Sequence, residues 1–424
     1  MFGMCEALME GKYYICIDLK SFYASVECVD RGLDPMTAKL VVADPERGKG
    51  TICLAVSPAL KALGVRNRCR VFEIPDNVQY IMAIPRMQRY IDCSADIYGI
   101  YLEYFSKDDI HVYSIDESFI DITPYLSLYH KTPHEMAFML ISEVKDRLSL
   151  IATAGVGTNL YLAKVALDII SKHVPDRIGI LDSGSYKRLL WHHRPLTDFW
   201  QLGPGTARTL NSMGILDMAD IASHPDLIRK KFGINSEYMI DHANGIENVT
   251  IKDIKNYNSR SHSLTSGQVL PRNYKYEEAR LAISEMANEL TQTLVARKLL
   301  SCGYYVYIGY AGMENGISSS KMLSEGTDSS RRLNSLILDM FDTLADPGYE
   351  IRRLSIGYSP VVLRSSRQYS FFNNEADANK DLKVSESINT IRDRYGKNSI
   401  VRGMDLLDAA TTMERNDQIG GHRK

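Results

Sequence analysis

The stretch Tyr13-Tyr14-Ile15-Cys16-Ile17-Asp18-Leu19-Lys20-Ser21-Phe22-Tyr23-Ala24-Ser25-Val26-Glu27 decides how the chain is read. Its first half is a short apolar run, the pattern of a strand buried on both faces, and that run ends in a carboxylate at Asp18. A helix follows at once, because Phe22, Val26 and Val29 fall at i, i+4 and i+7, and Gly32 supplies the stop signal. Strand, acid and helix in that order place a negative charge at the edge of a sheet.

Outward from there, residues 33–93 read as a small subdomain inserted after the first helix. Val41-Val42-Ala43 and Thr51-Ile52-Cys53-Leu54-Ala55-Val56 are strand candidates, and 58–63 is a short helix closed by Gly64. Residues 110–122 read as two strands around Asp116-Glu117, followed by a helix at 135–148, a strand at 151–156 and a helix at 159–172. Strand, helix, hairpin, helix, strand is the grammar of a split βαβ, ferredoxin-like layer. That grammar sets Asp18 beside Asp116 and Glu117.

Strand signals vanish over 186–250, where Leu202-Gly203-Pro204-Gly205-Thr206 joins two helical patterns. The polar stretch 250–263 reads as a linker. Beyond it, strands at 266–270, 303–310, 319–323 and 351–358 with helices at 276–300 and 330–344 spell βαββαβ, a second ferredoxin-like unit. Past Pro360 the chain is polar and interrupted, with one helix candidate at 382–395, and much of it is expected to be disordered alone.

Composition narrows the function classes. At 45% hydrophobic and 24% charged the chain has globular composition, so fibrous and wholly disordered readings are out. A net charge of −2 gives no global basic field, so any nucleic-acid contact must come from local patches. The seven cysteines form no C-x-x-C pair, which points to reduced thiols and to neither zinc nor disulfides. No long apolar stretch or basic leader occurs, and a soluble cytoplasmic protein with no membrane partner is expected.

Three carboxylates at one sheet edge can hold two divalent cations, the arrangement that in-line attack of a hydroxyl on a phosphoryl group uses. An isolated Asp-Glu at a hairpin is more often a solvated turn, so the flanks decide. Those flanks carry a resemblance. Residues Ile17 to Glu27, quoted above, and Tyr113-Ser114-Ile115-Asp116-Glu117-Ser118-Phe119-Ile120-Asp121 resemble the two palm motifs of the Y-family, the translesion DNA polymerases. Thr158-Asn159-Leu160-Tyr161-Leu162-Ala163-Lys164 is similar to the third motif, and the details are nearest the UmuC-like bacterial branch. The likeness runs from residue 13 to about residue 360.

The resemblance implies an α+β, multidomain right-hand polymerase. Its parts would be a ferredoxin-like palm (1–30 and 94–185), a small fingers insertion (31–93), a helical thumb with a helix-hairpin-helix (186–250), a linker (251–263), a ferredoxin-like little finger (264–362) and a C-terminal tail (363–424). It implies a template-directed, low-fidelity DNA polymerase for translesion synthesis in DNA repair and SOS damage tolerance. Such an enzyme moves a nucleotide from a dNTP to a primer 3′-hydroxyl with two Mg²⁺ ions.

Carried over by position, Asp18, Asp116 and Glu117 would be catalytic metal ligands, and the carbonyl of Leu19 would complete one shell. Tyr23 resembles the steric gate, where a ring under the sugar clashes with a 2′-hydroxyl, and Phe22 beside it is carried over as a second nucleotide-binding candidate. Phe22 and Tyr23 fit equally well as two core aromatics of an amphipathic helix. Lys164 would meet the incoming triphosphate as a mobile point charge, against the plainer reading of a snorkelling surface lysine. In the fingers the chain has Pro58-Ala59-Leu60-Lys61 where some branches carry a Tyr-x-x-Arg pair, leaving Lys61 to supply that charge. Gly155-Val156-Gly157 is not a dinucleotide fingerprint, because position 160 is Leu.

For DNA, Gly203, Gly205 and Thr206 resemble the hairpin that lets backbone N–H groups approach a phosphate, although a lone Gly-Pro-Gly is also just a turn. Arg331 and Arg332 are candidate contacts in the little finger. Gln368-Tyr369-Ser370-Phe371-Phe372 resembles the bacterial sliding-clamp peptide, with Gln368, Phe371 and Phe372 as its anchors. The UmuC-like branch also suggests help from a processed UmuD-like dimer or a recombinase filament. The rival from another class is a catalytically silent DNA- and clamp-binding accessory protein. The concentrated carboxylates count against it, since a scaffold has no reason to hold such charge without metals.

Overall fold

A computed structural model describes residues 11–259, 262–366 and 375–424. The clamp-like anchors Gln368, Phe371 and Phe372 lie outside the described residues. The chain divides after Tyr257 into two compact units. The first unit contains β1 (Tyr14–Leu19), β2 (Leu40–Val42), β3 (Ala55–Val56), β4 (Ile81–Ala83), β5 (Ile110–Val112), β6 (Glu117–Asp121), β7 (Ala152–Gly157) and β8 (Ile178–Leu181). The second contains β9 (Leu264–Tyr274), β10 (Leu299–Tyr310), β11 (Ile317–Thr327), β12 (Ile351–Tyr358) and β13 (Val361–Leu363).

In the first unit the sheet order is β5-β6-β1-β7-β8, with β1 central and antiparallel to both neighbours. Tyr14, Ile15, Cys16, Ile17 and Leu19 are all buried, which is why this strand reads as an unbroken apolar run. Helix Pro133–Leu148 starts where Thr132 and Glu135 cap each other reciprocally. The next helix, Leu160–Val165, lies unusually close to β7. A Cβ on Gly155 would sit 2.1 Å from the carbonyl oxygen of Ala163 and 2.2 Å from the nitrogen of Leu167, so only glycine admits the helix there. The 159–172 helix is not uniform: after Val165 it widens into a π turn over Ala166–Ile170.

The small sheet β3-β2-β4 precedes helix Met87–Leu102, and helix Pro58–Ala62 ends just before Gly64, whose φ of +87° suits glycine. Beyond β8, helices Ser183–Leu190, Pro204–Ser212, Met218–Ser223, Pro225–Phe232 and Ser236–Ala243 share a core with Tyr161 and Leu162. Residues 250–263 differ from a plain linker. Thr250 and Asp253 form a capping box for helix Ile251–Asn256, and Ile251 is buried with Tyr14, Cys16 and Phe119.

In the second unit β11-β10-β12-β9 form one antiparallel sheet. Helices Tyr276–Ala296 and Ser330–Leu344 pack on one face through Ile283, Met286, Leu333, Ile337 and Phe341. On β10 the buried Val306 and Ile308 alternate with the half-buried Tyr305 and Tyr307, which therefore belong to the opposite face.

The tail departs most from expectation. Residues Glu375–Tyr395 form a helix, and the segment after it docks on helix Tyr276–Ala296. Its anchor is polar: Glu285, only 1% exposed, accepts from the Thr411 N–H at 2.8 Å, the Thr411 hydroxyl at 3.1 Å and the Thr412 N–H at 3.1 Å. Among the described residues no helix is long and apolar enough to cross a membrane.

Candidate active site

The β1–β6 register pairs Asp18 with Glu117, and the Leu19 N–H donates to the Asp116 carbonyl at 3.0 Å. Three acids from two distant stretches thus meet at one strand end. Glu117 is buried, and its Oε1 takes a hydrogen bond from the Cys16 thiol at 3.1 Å and lies 2.9 Å from the Lys164 ammonium. Asp116 accepts from the Ser114 hydroxyl at 2.6 Å. Lys164 also reaches Asp168 at 3.1 Å, one helical turn further on.

Electrostatics records the crowding. Burial, then the charges of Asp116 and Glu117, push the Asp18 carboxyl up to about 7. For Lys164 burial works against the charge, but its anionic neighbours, Asp168 and Glu117 among them, outweigh burial and hold the amine protonated. Burial and then Glu117 keep the Cys16 thiol well above its ordinary value, so it is no nucleophile.

As they stand, these side chains are turned to Lys164, Cys16 and Ser114, and among the described residues no three acid, His or Cys side chains are gathered into a ligand set. The donor chemistry nonetheless fits a hard divalent cation. All the donors are carboxylate or carbonyl oxygens, and their mutual repulsion, visible at Asp18, is what such a charge relieves.

Around the acids lies a ring of cations. Lys61 donates to the Ser21 hydroxyl at 2.8 Å; burial lowers its pKa, Asp18 raises it, and Lys20 and Lys172 lower it further. Ser21 itself has φ of 51°, a left-handed residue at the strand-to-helix turn. Phe22 is 3% exposed and sits in the interior. Tyr23 is half-buried; burial first and Asp116 second raise its pKa, while Arg68 lowers it. One face of its ring stacks on Tyr90, centroids 4.4 Å apart.

Gly203 caps helix Pro204–Ser212 without a side chain, and a Cβ at Gly203 or Gly205 would meet nothing within 4 Å, so nothing inside the protein demands either glycine. Thr206 is half-buried in the first turn. Arg331 and Arg332 are exposed at the start of helix Ser330–Leu344, where Ser329 and Asp381 take up the N-terminal N–H groups.

Sequence reasoning overlooked Cys16, Ser114, Asp168, Lys20, Lys172 and Tyr90. Asp168 was within reach, since it lies four residues from Lys164 on one helix. Ser114 was too, two residues before the Asp116 carboxylate it bonds, whereas Lys172 and Tyr90 come to the site only through the fold.

Comparison with known proteins bears directly on this geometry. Residues 17–168 match the impB/mucB/samB family and residues 261–371 match the impB/mucB/samB family C-terminal domain. The putative UV-damage repair protein UvrX of Bacillus subtilis (strain 168) is 31% identical, covering 97% of this chain and 98% of its own length. The chain belongs to the Y-family of translesion DNA polymerases. Another Y-family relative, DNA polymerase IV 2 of Bacillus subtilis (strain 168), is likewise 31% identical, over 98% of this chain and all of its own. A solved Y-family DNA polymerase chimera shares the fold with a TM-score of 0.66 at 20% identity, covering 83% of this chain and 99% of that one. The Y-family architecture thus accounts for the mixed α/β organisation with its several sheets.

Proposed function

We propose that this chain is a template-directed, low-fidelity polymerase that extends a DNA primer with deoxynucleotides across damaged templates. The observation that carries the reading is the meeting of Asp18, Asp116 and Glu117 at the end of β1, with Asp18 lifted to about 7 by burial and then by its acidic neighbours. Asp18, Asp116, Glu117 and the Leu19 carbonyl would hold two Mg²⁺ ions. Bound there, such ions lower the pKa of the attacking 3′-hydroxyl and neutralise the leaving group.

The chain's own residues do the rest. Lys164, Lys61 and Lys172 offer positive charge to the triphosphate, and Lys164 is freed for it when Glu117 turns to a cation. Tyr23 presents a ring edge where a 2′-hydroxyl would lie. The glycines at 203 and 205 leave open backbone at a helix start for a DNA phosphate, with Thr206 beside them and Arg331 and Arg332 adding contacts along the duplex. The pattern at Gln368, Phe371 and Phe372 supports docking on the sliding clamp, and the family supports an accessory UmuD-like dimer or recombinase filament as a further partner.

The test is primer extension with Mg²⁺ and dNTPs on undamaged and abasic templates, beside Asp116→Ala/Glu117→Ala, with clamp added or withheld. Extension that disappears in the variant is expected, as is stimulation by clamp. A wild-type protein that binds primer-template yet extends neither template, even with accessory proteins, would instead be a DNA-binding scaffold.

A further inference from the structure

Tyr23 has a backing that the reaction itself does not require. Its ring stacks on Tyr90 with centroids 4.4 Å apart and planes 15° from parallel. Tyr90 comes from helix Met87–Leu102, far along the chain, and is fully buried. Its hydroxyl donates to Glu27 Oε1 at 2.8 Å. Glu27 lies four residues after Tyr23 in helix Phe22–Val29, so the two side chains share one helical face. The loop closes on itself: Tyr23 to Glu27 along the helix, Glu27 to Tyr90 by hydrogen bond, and Tyr90 back to Tyr23 by stacking.

The carboxylate in this loop is 0% exposed, and a buried charge persists only when its lone pairs are filled. Arg86 Nε donates to the same Oε1 at 2.9 Å and Arg31 pairs with Oε2. Arg86 and Arg89 are held in turn by Asp30 at 2.7 and 2.9 Å. Five charged side chains, Glu27, Asp30, Arg31, Arg86 and Arg89, thus fix the acceptor of one phenol hydroxyl. A gate that excludes a single oxygen atom works only if its ring cannot retreat by a fraction of an ångström. Tyr90 occupies the space into which the ring would retreat.

We infer that Tyr90, anchored by Glu27 and Arg86, is a positioning residue for sugar selection: it holds the Tyr23 ring against the 2′ position of the incoming nucleotide. The inference rests on the reading of Tyr23 as the gate. The experiment compares kcat/KM for a dNTP and the matching rNTP in single-nucleotide primer extension by the full-length protein, for wild type, Y23A, Y90L and Y90F.

Y23A should abolish the discrimination, which tests the gate itself. Y90L keeps an apolar side chain of useful volume but loses both the stack and the hydroxyl; the dNTP/rNTP ratio should fall about tenfold. Y90F retains the stack without the anchor and should recover part of that loss, a graded response that general destabilisation does not give. Thermal unfolding and primer-template affinity of each variant report folding separately. A Y90L ratio equal to wild type while Y23A collapses it overturns the role of Tyr90 and leaves the gate standing. A Y23A ratio equal to wild type overturns the gate reading first, and the inference with it.

Discussion

The Lys164 ammonium lies 2.9 Å from Glu117 and 3.1 Å from Asp168, so one buried cation ties the end of β6 to the helix that follows β7. It is the counter-charge for a carboxylate whose other partner among the described residues is the Cys16 thiol. This pairing also offsets part of the repulsion among three acids that sit together.

Lys164→Met should therefore harm two things at once. Glu117 would be left buried beside Asp18 without its cation, and the triphosphate would lose a point charge. A fall in kcat/KM of about a hundredfold is expected, much of it in KM for the dNTP. Single-nucleotide extension over a range of dNTP concentrations measures it, and an unchanged KM would remove Lys164 from the nucleotide site.

How far the sequence could be read follows from which interactions are local. β1 announced itself because both its faces are buried, and the helix expected at 135–148 was found two residues early, at Pro133, behind its Thr132 cap. What Gly155 does, admitting the Ala163 and Leu167 backbone, depends on a crossing that no spacing shows. Helix Ile251–Asn256 was missed because it offers only Ile251 and Ile254 as apolar signal. The Tyr90 backing was invisible because its partners come from separate helices. In the tail the helix at 382–395 was legible from its apolar spacing, but the order beyond it was not, because that segment is held by hydrogen bonds from Thr411 and Thr412 to Glu285, which leave no apolar period to detect.

Asp217 gives a pH dependence with a definite sign. It caps helix Met218–Ser223 by accepting from the Asp220 N–H at 3.1 Å and pairs with Arg194 at 2.8 Å. Burial alone would push its carboxyl up, but Arg194, the Asp220 N–H and His192 outweigh burial and hold it below the ordinary 3.8. A depressed carboxyl adds stability above its unfolded pKa and loses it as pH falls through the folded one. Asp217→Ala should cost about 2 kcal/mol at pH 7. The gap from wild type should narrow below about pH 4, where Asp217 begins to protonate. Urea unfolding at pH 7 and pH 3 checks both statements, and a gap that widens in acid would contradict them.

Glu285→Ala tests whether the tail is held as its geometry indicates. Removing the carboxylate strips the Thr411 and Thr412 N–H groups of their acceptor in a buried setting, at about 1–3 kcal/mol per group left unsatisfied. It also takes an anion away from Arg415, whose pKa burial lowers while Glu285 and Glu289 raise it. Other ties remain on the helix itself, with Arg392 on Glu289 at 2.7 Å and Asn389 donating to the Gln292 carbonyl at 3.1 Å, so the helix at 375–395 should stay docked while the segment beyond it loosens. Brief trypsin treatment reads this directly. The variant should be cut at Lys397 and Arg402 under conditions in which the wild type is not, with the remainder of the chain intact. Equal resistance of the two proteins would mean that Glu285 is not what holds the tail.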